Sequence, residues 1–519
     1  MKPQTYRQAA PPKPNFRDPT KKKSMLVAAR EWTLPHAQAV CPAPSAGLKL
    51  LPGDTTHQLY ACLLSGSTDA SVKERSVAFL GQALRQVQGE ASDLPATADG
   101  LADWMHRSAE QASIRYRVYL ETRKGGAPRQ YFTNRAHALY FLRAVAPTKL
   151  VDGAWLHGLL AHAKNPRFAD LITTYVEELG EGQADKNHVL LYRKLIERYG
   201  LNPVQGLPVE FYTQGALQLA LSLNAEEFLP EVIGFNLGYE QLPLHLLITA
   251  HELNELGIDP YYFTLHITVD NADSGHAQRA VQAVLDNMPQ FSSRDEFWQR
   301  VQRGCALSNA GIGTTEVIGS FDIEREIEAV FSRKRVAGRG AHSDYCRVAG
   351  RSINDWLAES GSIAPFLAAL EQAGWIKRGT APTQSRFWKL LQGDKAEMFG
   401  VFSPYELQLI HDWIRGDASA DGQVYGEPAL PAGRSRETFR AHDRLAQHRA
   451  AMLDPGQLKV LDALDDEVLD ADLQGLRAKL EACSSVDAQQ RLLVQAMSPG
   501  MHWTPAGKYA TRQFMRLAV

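Results

Sequence analysis

The chain contains no CxxC pair, and its five cysteines (Cys41, Cys62, Cys305, Cys346 and Cys483) are scattered and odd in number. A disulfide framework and a cysteine-based zinc site are therefore not expected. No apolar run reaches the roughly 20 residues that cross a bilayer. The N-terminus carries Lys2 and Arg7 but lacks the apolar segment of a secretory signal. These absences lead us to expect a reducing cytoplasm and no membrane partner. A net charge of −2 supplies no bulk attraction for nucleic acid. Runs that alternate apolar and polar residues are scarce, so the fold class is mainly α. There is no P-loop, no G-x-S-x-G elbow and no convincing Ser-His-Asp set. Gly311-Ile-Gly313-Thr-Thr-Glu316 lacks the third glycine of a dinucleotide fingerprint. No Glu-x-x-His pair occurs, which argues against a ferritin-like di-iron bundle. No repeat of solenoid period is present.

What is present is a chain of 519 residues, 44% hydrophobic, enough for a sizeable core and more than one domain. Residues 1–24, rich in Pro, Lys and Arg, read as a disordered basic tail. Residues 25–125 read as a helical N-terminal region, with helices over Val72–Val87 and Asp99–Tyr119. A nearly continuous helical series follows over 126–336. Residues 337–420 form a helical accessory region, with Trp356, Trp375, Trp388 and Trp413 available for packing; it could cover a site or mediate dimerisation. Residues 421–519 comprise the rest of a Gly/Pro/Ala-rich linker and further amphipathic helices.

The chemistry concentrates in Asp259-Pro-Tyr-Tyr-Phe-Thr-Leu-His266-Ile-Thr-Val-Asp270-Asn-Ala-Asp273-Ser-Gly-His276. An Asp cap followed by Pro starts a helix here, which we read as running to His276. At about 100° per residue, His266, Asp270 and Asp273 share one face, with His276 at its edge. Such a face is ordinarily just solvated, but the apolar neighbours Tyr262, Phe263, Leu265 and Ile267 argue for burial. A buried His-Asp pair without a partner is costly. Upstream, Glu178 ends one apolar helix and His188 opens the next, so a turn could bring both to one centre. Glu240 is the only acid in the apolar stretch 232–250. His245 and His251 are rivals better read as core histidines, and His251-Glu-Leu-Asn-Glu255 lacks the second His of a zincin helix.

The set Glu178, His188, Glu240, His266-x3-Asp270 and His276 resembles the haem-oxygenase-like di-metal oxidases, the iron-containing redox enzymes. So do Pro147, Asp152-Gly-Ala-Trp155, Glu178-Leu-Gly-Glu-Gly182 and Leu229-Pro-Glu-Val-Ile-Gly234. The resemblance covers roughly residues 134–290 and implies a haem-oxygenase-like helical bundle that holds two iron ions (Fe2+) in place of a haem. It implies one iron on Glu178, His188 and His276, and the other on Glu240, His266 and Asp270. Relatives often have the last His three residues after the Asp; here that position is Asp273, so His276, swung inward by a distortion or π-bulge at Ser274-Gly275, and Asp273 both stand as candidates. A mixed set of imidazoles and carboxylates with open positions suits non-haem iron. The implied activity is an oxidase or oxygenase: the ferrous pair reduces dioxygen to a bridging peroxide that attacks a small amine, amino-acid or fatty-acid-like substrate. Tyr175, Phe235, Tyr239, Tyr262 and Phe263 would line the cavity or simply pack the core. Competing readings are a haem-degrading enzyme of the same fold, a cofactor-free hydrolase (with no Cys near the motifs to act as nucleophile), and a non-enzymatic helical interaction protein. A homodimer is left open.

Overall fold

Apolar residues at helical spacing dominate the chain, and it folds as an all-α protein. The computed structural model describes residues 54–89, 92–202, 206–269, 275–359, 361, 363–392, 396–416 and 470–518. The tail expected over 1–24, most of the linker, Asp270 and Asp273 lie outside the described residues. The only strands among those described are Arg347–Val348 and Arg351–Ser352, an antiparallel pair. Their connection, Ala349 and Gly350, has positive φ at both residues, the geometry that matches strand twist in a two-residue hairpin. No described helix is long and apolar enough to cross a membrane.

The two N-terminal helices fall at Ala70–Gln86 and Leu101–Lys124, close to their expected bounds. The helix leading to Glu240, Leu229–Tyr239, crosses Arg294–Leu307 with the backbones almost touching. A Cβ on Gly234 would lie 1.9 Å from the Val301 carbonyl oxygen, and one on Gly304 would lie 2.2 Å from that of Glu231. Arg300 locks the crossing through two bonds to the Glu231 carboxylate, at 2.7 and 2.6 Å. Residues of the 337–420 region share a core with the main helical series: Phe387, Trp388 and Trp413 belong to the same buried cluster as Phe132, Phe141, Tyr192 and Phe263. Asp412 accepts a hydrogen bond from the Ala136 amide at 2.8 Å across that junction.

Glu252, from the motif that superficially suggested zinc, is wholly buried and structural. Its carboxylate accepts from the Tyr119 hydroxyl and from the backbone amides of Gln130, Tyr131 and Phe132. It therefore anchors the turn that enters the helix Arg135–Ala144.

One expectation is corrected. The segment 259–276 is not a single helix. Asp259 caps a helix that runs over Tyr261–Val269, and its side chain accepts from the Tyr261 amide at 3.0 Å. Gly275 is extended, with ψ −162°, and His276 is the first residue of a separate helix, His276–Asn287. A helix face computed through residue 276 therefore does not apply to His276.

Candidate metal centre

Six buried side chains converge, each 6% exposed or less: Asp152, Glu178, His188, Glu240, His266 and His276. Their ligand atoms form two sets that share Glu178. One is Asp152, Glu178, His188 and His266; the other is Glu178, Glu240 and His276, and within each set the atoms lie within 4.8 Å of one another.

Local sequence accounts for how each arrives. The helix Ala169–Glu178 ends at Glu178 and the helix His188–Arg198 begins at His188. Between them Gly180, Glu181 and Gly182 all have positive φ, which folds the connection tightly back. A Cβ on Gly180 would lie 2.4 Å from the Asn187 amide nitrogen, so only glycine fits there. Asp152 is brought close to Glu178 at Gly153 (φ 77°), whose missing Cβ would sit 3.0 Å from the Glu178 side chain. Glu240 follows directly on the helix Leu229–Tyr239.

The hydrogen bonding fixes which imidazole nitrogens face inward. His266 Nδ1 lies 2.8 Å from the Tyr262 carbonyl, which only accepts, so Nδ1 carries the hydrogen. Nε2 then points at Asp152 Oδ2, 3.0 Å away, an oxygen that already accepts from the Tyr262 hydroxyl at 2.5 Å. In the same way, His276 Nε2 donates to Glu177 at 2.9 Å. Its Nδ1 faces Glu178 at 3.3 Å and Glu240 at 3.1 Å. His188 Nδ1 lies 2.5 Å from Glu178 Oε2, yet the two are not aligned as a hydrogen bond. Nitrogen lone pairs directed at carboxylate oxygens need a cation between them, either a proton or a metal ion. The donor set therefore fits a metal.

The electrostatics agree. Burial favours the neutral acid at Glu178, but the adjoining His188 and His276 outweigh it and hold the carboxyl well below its usual range. At Asp152 burial is likewise overcome, by the Lys149 charge and the His266 hydrogen bond. For His266 burial works against protonation, yet Asp152 lifts it from 6.5 to about 9. Lys149 Nζ lies 3.9 Å from Asp152 and donates to the Tyr239 hydroxyl at 3.3 Å. Outside the His276 ring, Glu177 also accepts from Arg279, at 2.5 Å.

Of the anticipated residues, Glu178, His188, Glu240, His266 and His276 are brought together, while Asp270, and Asp273 as the rival of His276, lie outside the described residues. The grouping differs from the expected one: His266 sits with His188, and Glu240 with His276. Sequence reasoning assigned no role to Asp152, Glu177, Arg279 or Lys149. For Asp152 a signal existed, since it is the only acid in the apolar stretch 150–160, the property that singled out Glu240. His245 and His251 stay outside both sets. Burial, followed by the Lys149 charge, pushes His245 down to about 4, which keeps this half-buried ring neutral.

Residues 139–309 match a family model described as iron-containing redox enzyme, which makes this region that of an oxidoreductase. No curated protein and no solved structure matches the chain.

Proposed function

From the membership of residues 139–309 in the iron-containing redox enzyme family, we propose that the protein is a non-haem di-iron oxidase or oxygenase. Its substrate class is a small amine, amino acid or fatty acid, and dioxygen is the co-substrate. One observation carries the reading: Glu178 turns Oε2 toward His188 and Oε1 toward His276, the disposition of a carboxylate shared by two ions. Asp152, His188 and His266 would complete one position. Glu240 and His276 would hold the other, with Asp270 as the further carboxylate that the family resemblance implies. When bound, the two ferrous ions supply electrons and open coordination positions for dioxygen.

The chain's own residues do the rest. Glu177, itself held by Arg279, orients His276 and keeps its proton on the outward nitrogen. The Tyr262 carbonyl does the same for His266. Lys149 balances the charge of Asp152. Burial keeps bulk water from the donor atoms, which strengthens every charge interaction among them. Carboxylates packed against the inward nitrogens weigh against an axial haem ligand, which needs a free imidazole nitrogen and room for a macrocycle.

The test is anaerobic loading with Fe2+, metal analysis and Mössbauer spectroscopy, followed by oxygen-uptake measurement. Two irons per chain are expected, with loss of the pair in Glu178→Ala and His266→Ala. Full iron retention in both variants, or none in the wild type, defeats the proposal. The second result is what a purely structural interaction protein would give.

A further inference from the structure

The C-terminal helices Ala471–Glu481, Val486–Ala496 and Pro505–Ala518 lie beyond the residues that match the family model, yet they fasten onto the connection between Glu178 and His188. The Tyr175 hydroxyl donates to the Met497 carbonyl at 2.6 Å, and Arg512 donates to the Gly182 carbonyl at 2.8 Å. The Arg193 guanidinium stacks 3.7 Å from the centre of the Trp503 ring. The approach is close enough that a Cβ on Gly182 would meet the Lys508 carbonyl oxygen at 2.5 Å.

At the centre of this junction stands Asn187, fully buried. Its Oδ1 accepts from the Leu190 amide at 2.9 Å and so caps the His188 helix. Its Nδ2 donates to the Leu179 carbonyl at 3.1 Å, and its second hydrogen is shared between His502 Nδ1 at 3.2 Å and the His502 carbonyl at 3.4 Å. Leu179 directly follows one donor residue and Asn187 directly precedes another. A single amide thus ties the peptide after Glu178 to the peptide before His188, and His502 holds that amide in place. His502 is also buried, 1% exposed, and burial keeps its ring neutral; because its Nδ1 faces an amide NH2, which only donates, that nitrogen is the acceptor.

We propose that Asn187 and His502 are positioning residues of the metal centre, and that docking of the C-terminal helices is coupled to metal binding. The inference rests on the metal reading above. Linkage makes it reciprocal: whatever factor docking adds to metal affinity, metal adds to docking.

The experiment uses the full chain as wild type, His502→Ala, His502→Gln and Arg512→Ala. Co2+ affinity is measured anaerobically against a chromophoric chelator, together with the Co2+ absorption spectrum. Amide hydrogen exchange of residues 497–512 is followed with and without Co2+. We expect His502→Ala to weaken Co2+ binding about tenfold, the lower end for residues behind metal ligands, and to shift its spectrum. His502→Gln, whose side-chain oxygen can accept from Asn187, should restore most of the affinity. Co2+ should slow exchange across 497–512 in the wild type, and less so in Arg512→Ala. Wild-type affinity and spectrum in His502→Ala, with exchange at 497–512 indifferent to Co2+, overturn the inference while leaving the metal site intact. A wild type that binds neither Co2+ nor Fe2+ overturns both. If His502→Ala fails to fold, Arg512→Ala decides: unchanged affinity and unchanged exchange count against coupling.

Discussion

The pairing of His266 with Asp152 makes stability depend on pH in a direction that can be worked out. In the metal-free protein His266 is protonated up to about 9, against 6.5 for an unperturbed imidazole. A folded-state value above the unfolded one means that the stabilisation is complete below 6.5. It declines as pH rises and is gone once pH passes about 9. The difference of about 2.5 pH units, at ~1.36 kcal/mol each, sets its size at about 3 kcal/mol. Metal must displace this proton, so apparent metal affinity should rise about tenfold per pH unit until about pH 9 and then level off. Thermal unfolding of metal-free protein between pH 6 and 9.5 tests the first part, and chelator competition over the same range tests the second. Asp152→Asn is the control. Its amide could donate to His266 Nε2 and satisfy the lone pair with no cation, so the decline should vanish and metal affinity should fall. A wild type whose stability is flat or rises across this range, or an Asp152→Asn variant with an undiminished decline, refutes the reasoning.

Three further outcomes follow from the same contacts. Glu178→Gln removes charge from the carboxylate common to both donor sets, and metal analysis should find iron reduced at both positions together rather than at one. Glu177→Ala removes the acceptor of the buried His276 Nε2–H, and chelator competition should show metal binding weaker by about 10–100-fold, with metal-free stability lowered by about 1–3 kcal/mol. Glu252→Gln turns an amide NH2 toward backbone N–H groups that need an acceptor. Denaturant unfolding should register a loss of about 2–4 kcal/mol while metal stoichiometry is unchanged.

How much was legible in advance differs from residue to residue. Glu178, His188 and Glu240 stood out because an acid or imidazole at the edge of an apolar helix is costly to bury unless something pairs with it. The all-α class followed from periodicity alone. His276 was a candidate through a distortion at Ser274-Gly275, but the start of a separate helix at His276 was not legible. A helical projection through residue 276 cannot anticipate that Gly275 is extended and starts a new helix. Asp152 stood in plain view without a role, because its partner His266 lies 114 residues along the chain and reaches it only through tertiary packing. The contribution of the C-terminal helices was equally hidden, since Asn187 and His502 are 315 residues apart.

The sequence by itself determined the helical architecture, which depends on local spacing, and through its resemblance to a known family it pointed to the residue types of the centre, a mixed set of imidazoles and carboxylates compatible with iron. Only the tertiary structure decided which donors group together and which imidazole nitrogen faces inward. It alone made Glu178 the shared carboxylate. Those properties depend on distances and hydrogen-bond directions between segments far apart in the chain, which no local pattern encodes.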